Sequence, residues 1–423
     1  MHQYPHGSQS WCFTETETGT PLRFVSGRDL PELAVPHAEA WLRLSGFDGS
    51  MGDHLLLPDA DGAPAEMLAG IGDGDPADPA SYALAVRGLP AGTYRLIDAD
   101  APCEAIAIGW ALGSQGRGAA VAPMLGLPAG LDRRTAALAD MDCWARDLIN
   151  RPGGALGPDE LAREAERLAE RHGARLVIVR GEALLAQDLP GIFAVGKGGV
   201  RPPLLIDLRW GDPAAPRVTL VGKGVCFDAG GLDLKRQPEI AMMKSDMAGA
   251  AHVLALASLV MEIGLDISLR ALIPAVDNLP SATSVMPGDV LRNRNGRTIE
   301  IANTDYEGRV LLADALALAA EEEPALLIDF ASLTTTGLGP DIAALFARRD
   351  ETGVALLRAA ADTYDAMCRL PLHAGYRRSI RADAAPTFRR PNMAFRASLP
   401  RCSWRSSCRR RSTGCISISR AGM

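Results

Sequence analysis

The sequence predicts a two-domain α/β fold: a small N-terminal α/β domain, then a larger domain with a mostly parallel central sheet covered by helices. Three observations predict it. The chain has 423 residues, too many for one ordinary hydrophobic core and suited to two. Its later part carries continuous apolar runs rather than alternating ones, the pattern of strands buried on both faces. Segments of helical period lie between those runs, so strand and helix alternate as in parallel βα units.

Residues 1–134 read as the first domain. They are rich in Ala, Gly, Pro and Asp, and short apolar runs such as YALAV (82–86) and AIAIGWAL (105–112) alternate with turn signals like DADGAP and GDGDPADP. No chemistry stands out in them. Residues 135–386 read as the second domain, entered by a linker helix. That helix, RRTAALADMDCWARDLIN (133–150), stops at Arg151-Pro152-Gly153-Gly154. A second helix spans 157–173, with Pro158 and Asp159 at its start and Gly173 at its end. The strands are RLVIV (175–179), PLLIDL (203–208), RVTLVG (217–222), SLRALIPAV (268–276) and ALLIDFASL (325–333), with helices at 247–263 and 308–322.

Composition narrows the function classes. A formal net charge of -7 argues against non-specific nucleic-acid binding. No apolar run reaches transmembrane length, so no membrane partner is expected. The opening MHQYPHGSQSWCF lacks the basic-then-apolar pattern of a secretory signal. The eight cysteines are scattered without a CxxC pair, which suits free thiols in a reducing compartment. The expected location is cytoplasmic.

Two glycine-rich stretches invite chemistry. GIFAVGKG (191–198) fits G-x-x-x-x-G-K, but Gly198 stands where a phosphate loop needs the Ser or Thr that binds magnesium. It reads as a turn between strands. VGKGVCFDAGGLDLKRQPEIAMMKSDMAGAA (221–251) leaves a strand and carries Lys223, Asp228, Asp233, Lys235, Lys244 and Asp246. Ligand sites in open α/β sheets lie at the carboxyl ends of strands. NTDYEGR (303–309) precedes a helix in the same way. Read as an extended segment, it would point Asp305, Glu307 and Arg309 to one side. Asp228, Asp246, Asp305 and Glu307 would repel one another in a cleft. Two divalent cations would balance them, and so would a buried salt-bridge network. With no HExxH and no paired Cys, ligands would be mainly oxygen, which suits manganese or magnesium and also zinc.

These stretches together resemble the leucyl aminopeptidase (cytosol aminopeptidase) family. NTDYEGR is similar to the family's NTDAEGR signature, VGKGVCFDAGGLDLK to its VGKG-x-x-FDSGG-x-x-x-K block, and KSDMAGAA to a third block, an acidic residue before M-x-G-A-A. RDLINRPGGALGPDELA and GIFAVGKGGVRPPLLIDLRW also match family segments, and the likeness covers residues 135–380. It implies a metal-dependent aminopeptidase that removes N-terminal residues through a two-metal-activated hydroxide. By resemblance, Lys223, Asp228, Asp246, Asp305 and Glu307 are metal ligands, Lys223 as a neutral amine and Asp228 and Glu307 as bridges. Lys235 polarises the scissile carbonyl, and Arg309 holds a bicarbonate that shuttles protons. Asn303 and the backbone at Leu333 contact substrate. The implied metals are manganese or zinc, with magnesium also compatible. The implied partners are peptides with a free N-terminus and five further copies in a homo-hexamer. Two alternatives stay open: an inactive family member serving as an architectural or DNA-binding protein, and a two-metal phosphatase.

The chain departs from the family's pattern at Tyr306, Ala229 and Thr335, where Ala, Ser and Gly are usual. By strand alternation Tyr306 would face away from the metals, while Thr335 would narrow the substrate pocket. After Asp383 no acidic residue appears, and FRRPNMAFRASLPRCSWRSSCRRRSTGCISISRAGM shows neither helical nor alternating period. The family normally continues here with an apolar helix and a buried strand. Residues 387–423 are therefore expected to be an aberrant basic tail outside the fold, leaving the second domain truncated.

Overall fold

The computed structural model describes residues 12–14, 18–27, 37–98, 101–116, 122–126, 131, 133–334, 338–339, 341–375, 387–388 and 415–419. Its chain divides into two compact units, Met1–Trp144 and Ala145–Met423.

In the first unit, β1 (Phe13–Thr14), β2 (Thr20–Ser26), β3 (His54–Pro58), β4 (Pro64–Gly72), β5 (Gly92–Leu96) and β6 (Pro123–Gly126) form one sheet in the order β1-β6-β5-β2-β4-β3. β3 runs antiparallel to β4, and the other pairings are parallel. The unit also holds α1 (Ala38–Ser45), α2 (Pro79–Arg87) and α3 (Cys103–Ser114). The two apolar runs left unassigned by sequence are parts of α2 and α3. α2 begins with Pro79 in its first turn, while the Asp78 side chain accepts a hydrogen bond from the Ala80 amide. Helix α4 (Arg133–Asn150) carries the chain from one unit to the next.

The second unit opens with α5 (Pro158–His172), whose first amides are served by Glu160: its Oε2 accepts from the Gly157 amide at 3.0 Å. Then come β7 (Arg175–Arg180), α6 (Ala183–Ala186), α7 (Pro190–Gly196), β8 (Leu204–Trp210), β9 (Arg217–Gly222), β10 (Gly224–Asp228), α8 (Ala248–Glu262) and β11 (Ser268–Asn278). The remainder is β12 (Val290–Arg292), β13 (Thr298–Glu300), α9 (Glu307–Ala320), β14 (Leu326–Phe330), β15 (Ala343–Ala347), α10 (Asp350–Asp362), β16 (Met367–Arg369), β17 (Thr387–Phe388) and β18 (Cys415–Ser419).

The main sheet runs β16-β15-β18-β14-β9-β11-β8-β7, with β10 also paired to β11. β9, β10, β11 and β14 are parallel, whereas β7 and β8 run antiparallel at one side. The core is continuous from Leu205 and Val221 through Leu272 and Val276 to Leu311, Leu312 and Leu327. β11 does two jobs. Its first half pairs with β9 and its second half with β10. The chain jogs at Lys223 between those two strands, and so delivers a lysine and then Asp228 to the carboxyl end of the sheet.

Two expectations differ from the structure. GIFAVGKG is not a turn between strands, since most of it lies in α7, which starts at Pro190 as an N-terminal proline allows. NTDYEGR is not extended beyond Asn303: Thr304–Tyr306 form a 3₁₀ turn and Glu307 starts α9. In the segment 387–423, Thr387–Phe388 pairs with β13, and Cys415–Ser419 fills the slot between β14 and β15. The rest of that segment, like Thr335, lies outside the described residues.

Candidate metal centre

The centre forms where β9, β10 and β11 end and where α8 and α9 begin. Lys223, at the jog, is 2% exposed. Its Nζ donates to Asp246 Oδ1 at 2.7 Å and to the Ser332 carbonyl at 2.7 Å, and lies 2.8 Å from Glu307 Oε1. Gly308 makes room for it: a Cβ there would stand 2.6 Å from Lys223 Cε. Asp246 is the penultimate residue of the 3₁₀ stretch Glu239–Met247 that leads into α8. The Ser332 hydroxyl donates to Asp246 Oδ1 at 2.8 Å.

Lys235 answers Lys223 from the other side. Its Nζ lies 3.1 Å from Asp228 Oδ2 and also contacts Asp305 Oδ1. The 228–235 loop and the 303–306 turn are sewn together by Thr304, whose hydroxyl donates to the Gly230 carbonyl at 2.6 Å and accepts from the Asp233 amide at 2.9 Å. Asp233 Oδ2 accepts the Thr304 amide at 2.7 Å. Asp228 Oδ1 accepts from the Gly230 amide and from Asn278 Nδ2, both at 2.8 Å.

Six of the nine residues singled out by sequence thus meet: Lys223, Asp228, Lys235, Asp246, Asp305 and Glu307. Arg309, on the first turn of α9, stacks its guanidinium 4.4 Å from the centre of the Tyr306 ring. Asn303 caps its own turn, accepting the Asp305 amide at 2.7 Å, and lines a cavity of about 20 Å³ with Glu307, Asn278 and Thr304. Leu333 packs on the core beside α9. Sequence reasoning missed Asn278 and Ser332, and gave no role to Asp233 and Thr304, which lie within the two stretches it singled out. The signal for Asn278 was its place as the first uncharged polar residue at the end of an apolar strand.

The electrostatics show an excess of negative charge. Burial pushes the Asp228 carboxyl up, with Glu307 adding to it, to about 7. Burial also raises Asp246 well above the carboxylate range and raises Asp305, against the pull of Lys223 and Lys235 respectively. For Glu307, burial is outweighed by Lys223, and its pKa is lowered. Burial favours loss of the Lys223 proton, yet Asp246, Glu307 and Asp228 together raise its pKa above the ordinary lysine value. Lys235 is raised in the same way by Asp228 and Asp305, against burial. Burial lowers the Arg309 guanidinium to about 10, partly offset by Glu307 and Asp305. Four carboxyls face two ammonium groups, and the surplus is met in the metal-free protein by carboxyls whose pKa values rise toward the protonated form.

The residues present fit cations. Asp228, Asp305 and Glu307 each offer a carboxylate oxygen, all within 4.8 Å of one another. Asp246 Oδ2 and Glu307 Oε2 are buried with no hydrogen-bond partner among the described residues. Such oxygens are strongly disfavoured unless something positive completes them. Arg309 Nη1 is buried in the same state, with the opposite sign.

The comparisons with known proteins decide the family. Residues 143–395 match the model of the cytosol aminopeptidase family, catalytic domain. This chain belongs to the cytosol aminopeptidase family. Residues 21–117 match the family's M17 aminopeptidase N-terminal domain. A probable cytosol aminopeptidase of Syntrophotalea carbinolica is 41% identical over 274 residues, 62% of this chain and 55% of that protein. Peptidase B of Cronobacter sakazakii is 40% identical over 252 residues, 57% of this chain and 59% of that protein. The matched region therefore spans little more than half the length of these curated relatives. Among solved cytosol aminopeptidases, that of Coxiella burnetii superposes with a TM-score of 0.87 at 37% identity, covering 96% of this chain and 92% of its own. The bottromycin maturation enzyme BotP, solved in complex with Mn, gives 0.80 at 32% identity, covering 94% and 90%.

Proposed function

We propose that this family member is a two-metal aminopeptidase that removes N-terminal residues from peptides. One observation carries the reading above the others: Asp228, Asp305 and Glu307 converge within 4.8 Å while Asp246 and Glu307 each keep a buried oxygen without a hydrogen-bond partner among the described residues. Lys223, Asp228, Asp246, Asp305 and Glu307 would hold two divalent ions, manganese or zinc, with magnesium also compatible. Those ions would supply Lewis acidity and a water nucleophile usable near neutral pH.

The chain's own residues do the rest. Lys223 would give up its proton, because an ammonium has no lone pair for a cation. Lys235 holds its ammonium at the rim of the carboxylates. From there it would donate a hydrogen bond to the oxyanion that forms as the first peptide carbonyl is attacked. Arg309 would hold a bicarbonate at its unpartnered Nη1 and so position a group that carries a proton to the leaving amine. Asn303 and the Leu333 backbone would line up the substrate. The assembly we propose is a homo-hexamer, located in the cytoplasm. The matched relatives are named as peptidases and give the DNA-binding alternative no support.

The test is hydrolysis of a panel of aminoacyl-p-nitroanilides, before and after chelation and with manganese, zinc or magnesium restored. Activity should vanish on chelation and return with metal. Asp305→Ala and Glu307→Ala should be folded and inactive. Near-normal turnover in either variant with both ions bound would overturn the assignment.

A further inference from the structure

We propose that the Asn278 carboxamide is a positioning residue that fixes the spacing of the Asp228 loop and the Asp305 turn, and so sets the affinity of the site for its cations. The inference rests on the two-metal reading above. Asn278 is the last residue of β11 and is 5% exposed. Its Nδ2 carries two hydrogens and uses both: one goes to Asp228 Oδ1 at 2.8 Å, the other to the Thr304 carbonyl at 3.1 Å. Its own carbonyl accepts the Ala229 amide at 2.9 Å. A single residue thus grips both segments that carry candidate ligands.

The amide orientation follows from the partners. Both are acceptors, so the oxygen cannot take the place of the nitrogen. A carboxylate or an aliphatic group of the same size could donate to neither.

Asn278 stands on a firm base. The 228–235 loop turns through Gly230 at φ 90° and Gly231 at φ 64°, conformations that glycine adopts without steric cost. Asp228 and Asp305 repel each other across the gap. The β11 end is registered against β10, with Asp228 opposite Asn278. Asp277 beside it receives Arg201 in bidentate fashion at 2.6 and 2.9 Å, and Arg201 also donates to the Gly153 carbonyl at 2.9 Å. Residues that orient ligands from behind typically change metal affinity or activity by about ten- to a hundredfold when removed.

The experiment is a manganese titration by calorimetry on the metal-stripped full chain, for wild type, Asn278→Leu, Asn278→Ala and, as control, Asp228→Ala. The leucine keeps the volume and removes the donor; the alanine serves if the leucine variant does not fold. The expected result is about ten- to a hundredfold weaker manganese binding in the folded Asn278 variant, with kcat at saturating manganese reduced more than KM is raised. A purely structural asparagine would lower the melting temperature of the stripped protein and leave manganese affinity at the wild-type value, which overturns the proposal. Wild type that binds no manganese removes the two-metal reading itself. Binding lost in Asp228→Ala but kept in the Asn278 variant sinks the brace alone.

Discussion

Lys223 is the residue on which the metal-free and metal-loaded states divide. Without cations it is the ammonium that Asp246 and Glu307 share. Its raised pKa means that this pairing stabilises the fold at every pH below the ordinary lysine value and is lost only as pH climbs through the folded value, in strongly alkaline solution. Asp228 has the opposite sign. Its folded pKa is raised to about 7, so between the ordinary aspartate value and about 7 the metal-free fold keeps a proton that the unfolded chain has released. Stability from that group falls as pH rises through the window. Cations at the centre need both groups deprotonated, and binding must therefore expel protons. Manganese titrations at neutral pH, in two buffers of different ionisation enthalpy, should show proton release and an affinity that rises with pH. Identical heats in both buffers would count against Lys223 and Asp228 as ligands. Lys235 makes a separate prediction, because it touches the carboxylates from the open side. Lys235→Ala should lower turnover on the order of a hundredfold or more while manganese stoichiometry stays at the wild-type value. Loss of metal as the main defect would make Lys235 a ligand or a structural counter-ion instead.

At the scale of elements, the site depends on how closely α8 approaches the sheet. A Cβ on Gly249 would stand 2.1 Å from the Phe330 carbonyl oxygen and 2.8 Å from the Lys223 amide nitrogen. Both are backbone atoms at strand ends, so neither can swing aside. Alanine in place of a helical glycine normally stabilises by about 1 kcal/mol. Gly249→Ala should reverse that sign and destabilise by about 1–3 kcal/mol, the usual range for overpacking. Gly154→Ala, with nothing within 4 Å of its Cβ, should be neutral or slightly stabilising. Urea titration of the two variants is the check, and equal effects would mean that the helix is free to shift. The same crowding explains what the sequence made legible. Strands β9, β11 and β14 and helices α8 and α9 are buried on most sides, so they appear as long apolar runs and their places were foreseen. NTDYEGR was read as an extended segment converging Asp305, Glu307 and Arg309, whereas the structure brings Asp305 and Glu307 together and stacks Arg309 on Tyr306. A 3₁₀ turn into a helix brings Asp305 and Glu307 together as well as an extended strand would, and residue types alone do not separate the two. α7 was hidden because glycine and proline flank it. Asn278 was hidden because one polar residue at a strand end resembles any other, and its two acceptors come from segments distant in sequence.

For the whole molecule, the division into Met1–Trp144 and Ala145–Met423 places every candidate ligand in the second unit. A ligand that binds only the folded state stabilises what it binds, by about 2.7 kcal/mol at a hundred times its dissociation constant. The stabilisation should therefore be unequal along the chain. In the metal-stripped protein, the second unit contains four carboxyls opposed by two lysines, an arrangement that weakens it. Manganese would remove that weakness and leave the first unit, which holds none of the ligands, as it was. Hydrogen exchange of the full chain, with and without manganese, reads both units at once. Protection should rise in β10, in the 303–306 turn and at the starts of α8 and α9, and should stay level in β2, β4 and α3. Glu307→Ala should remove the difference, because it deletes both a convergent carboxylate and an unpartnered buried oxygen. A uniform rise across both units would show that the ions act on the chain as a single cooperative body. No rise anywhere in the second unit would remove the metal centre from the account of this protein.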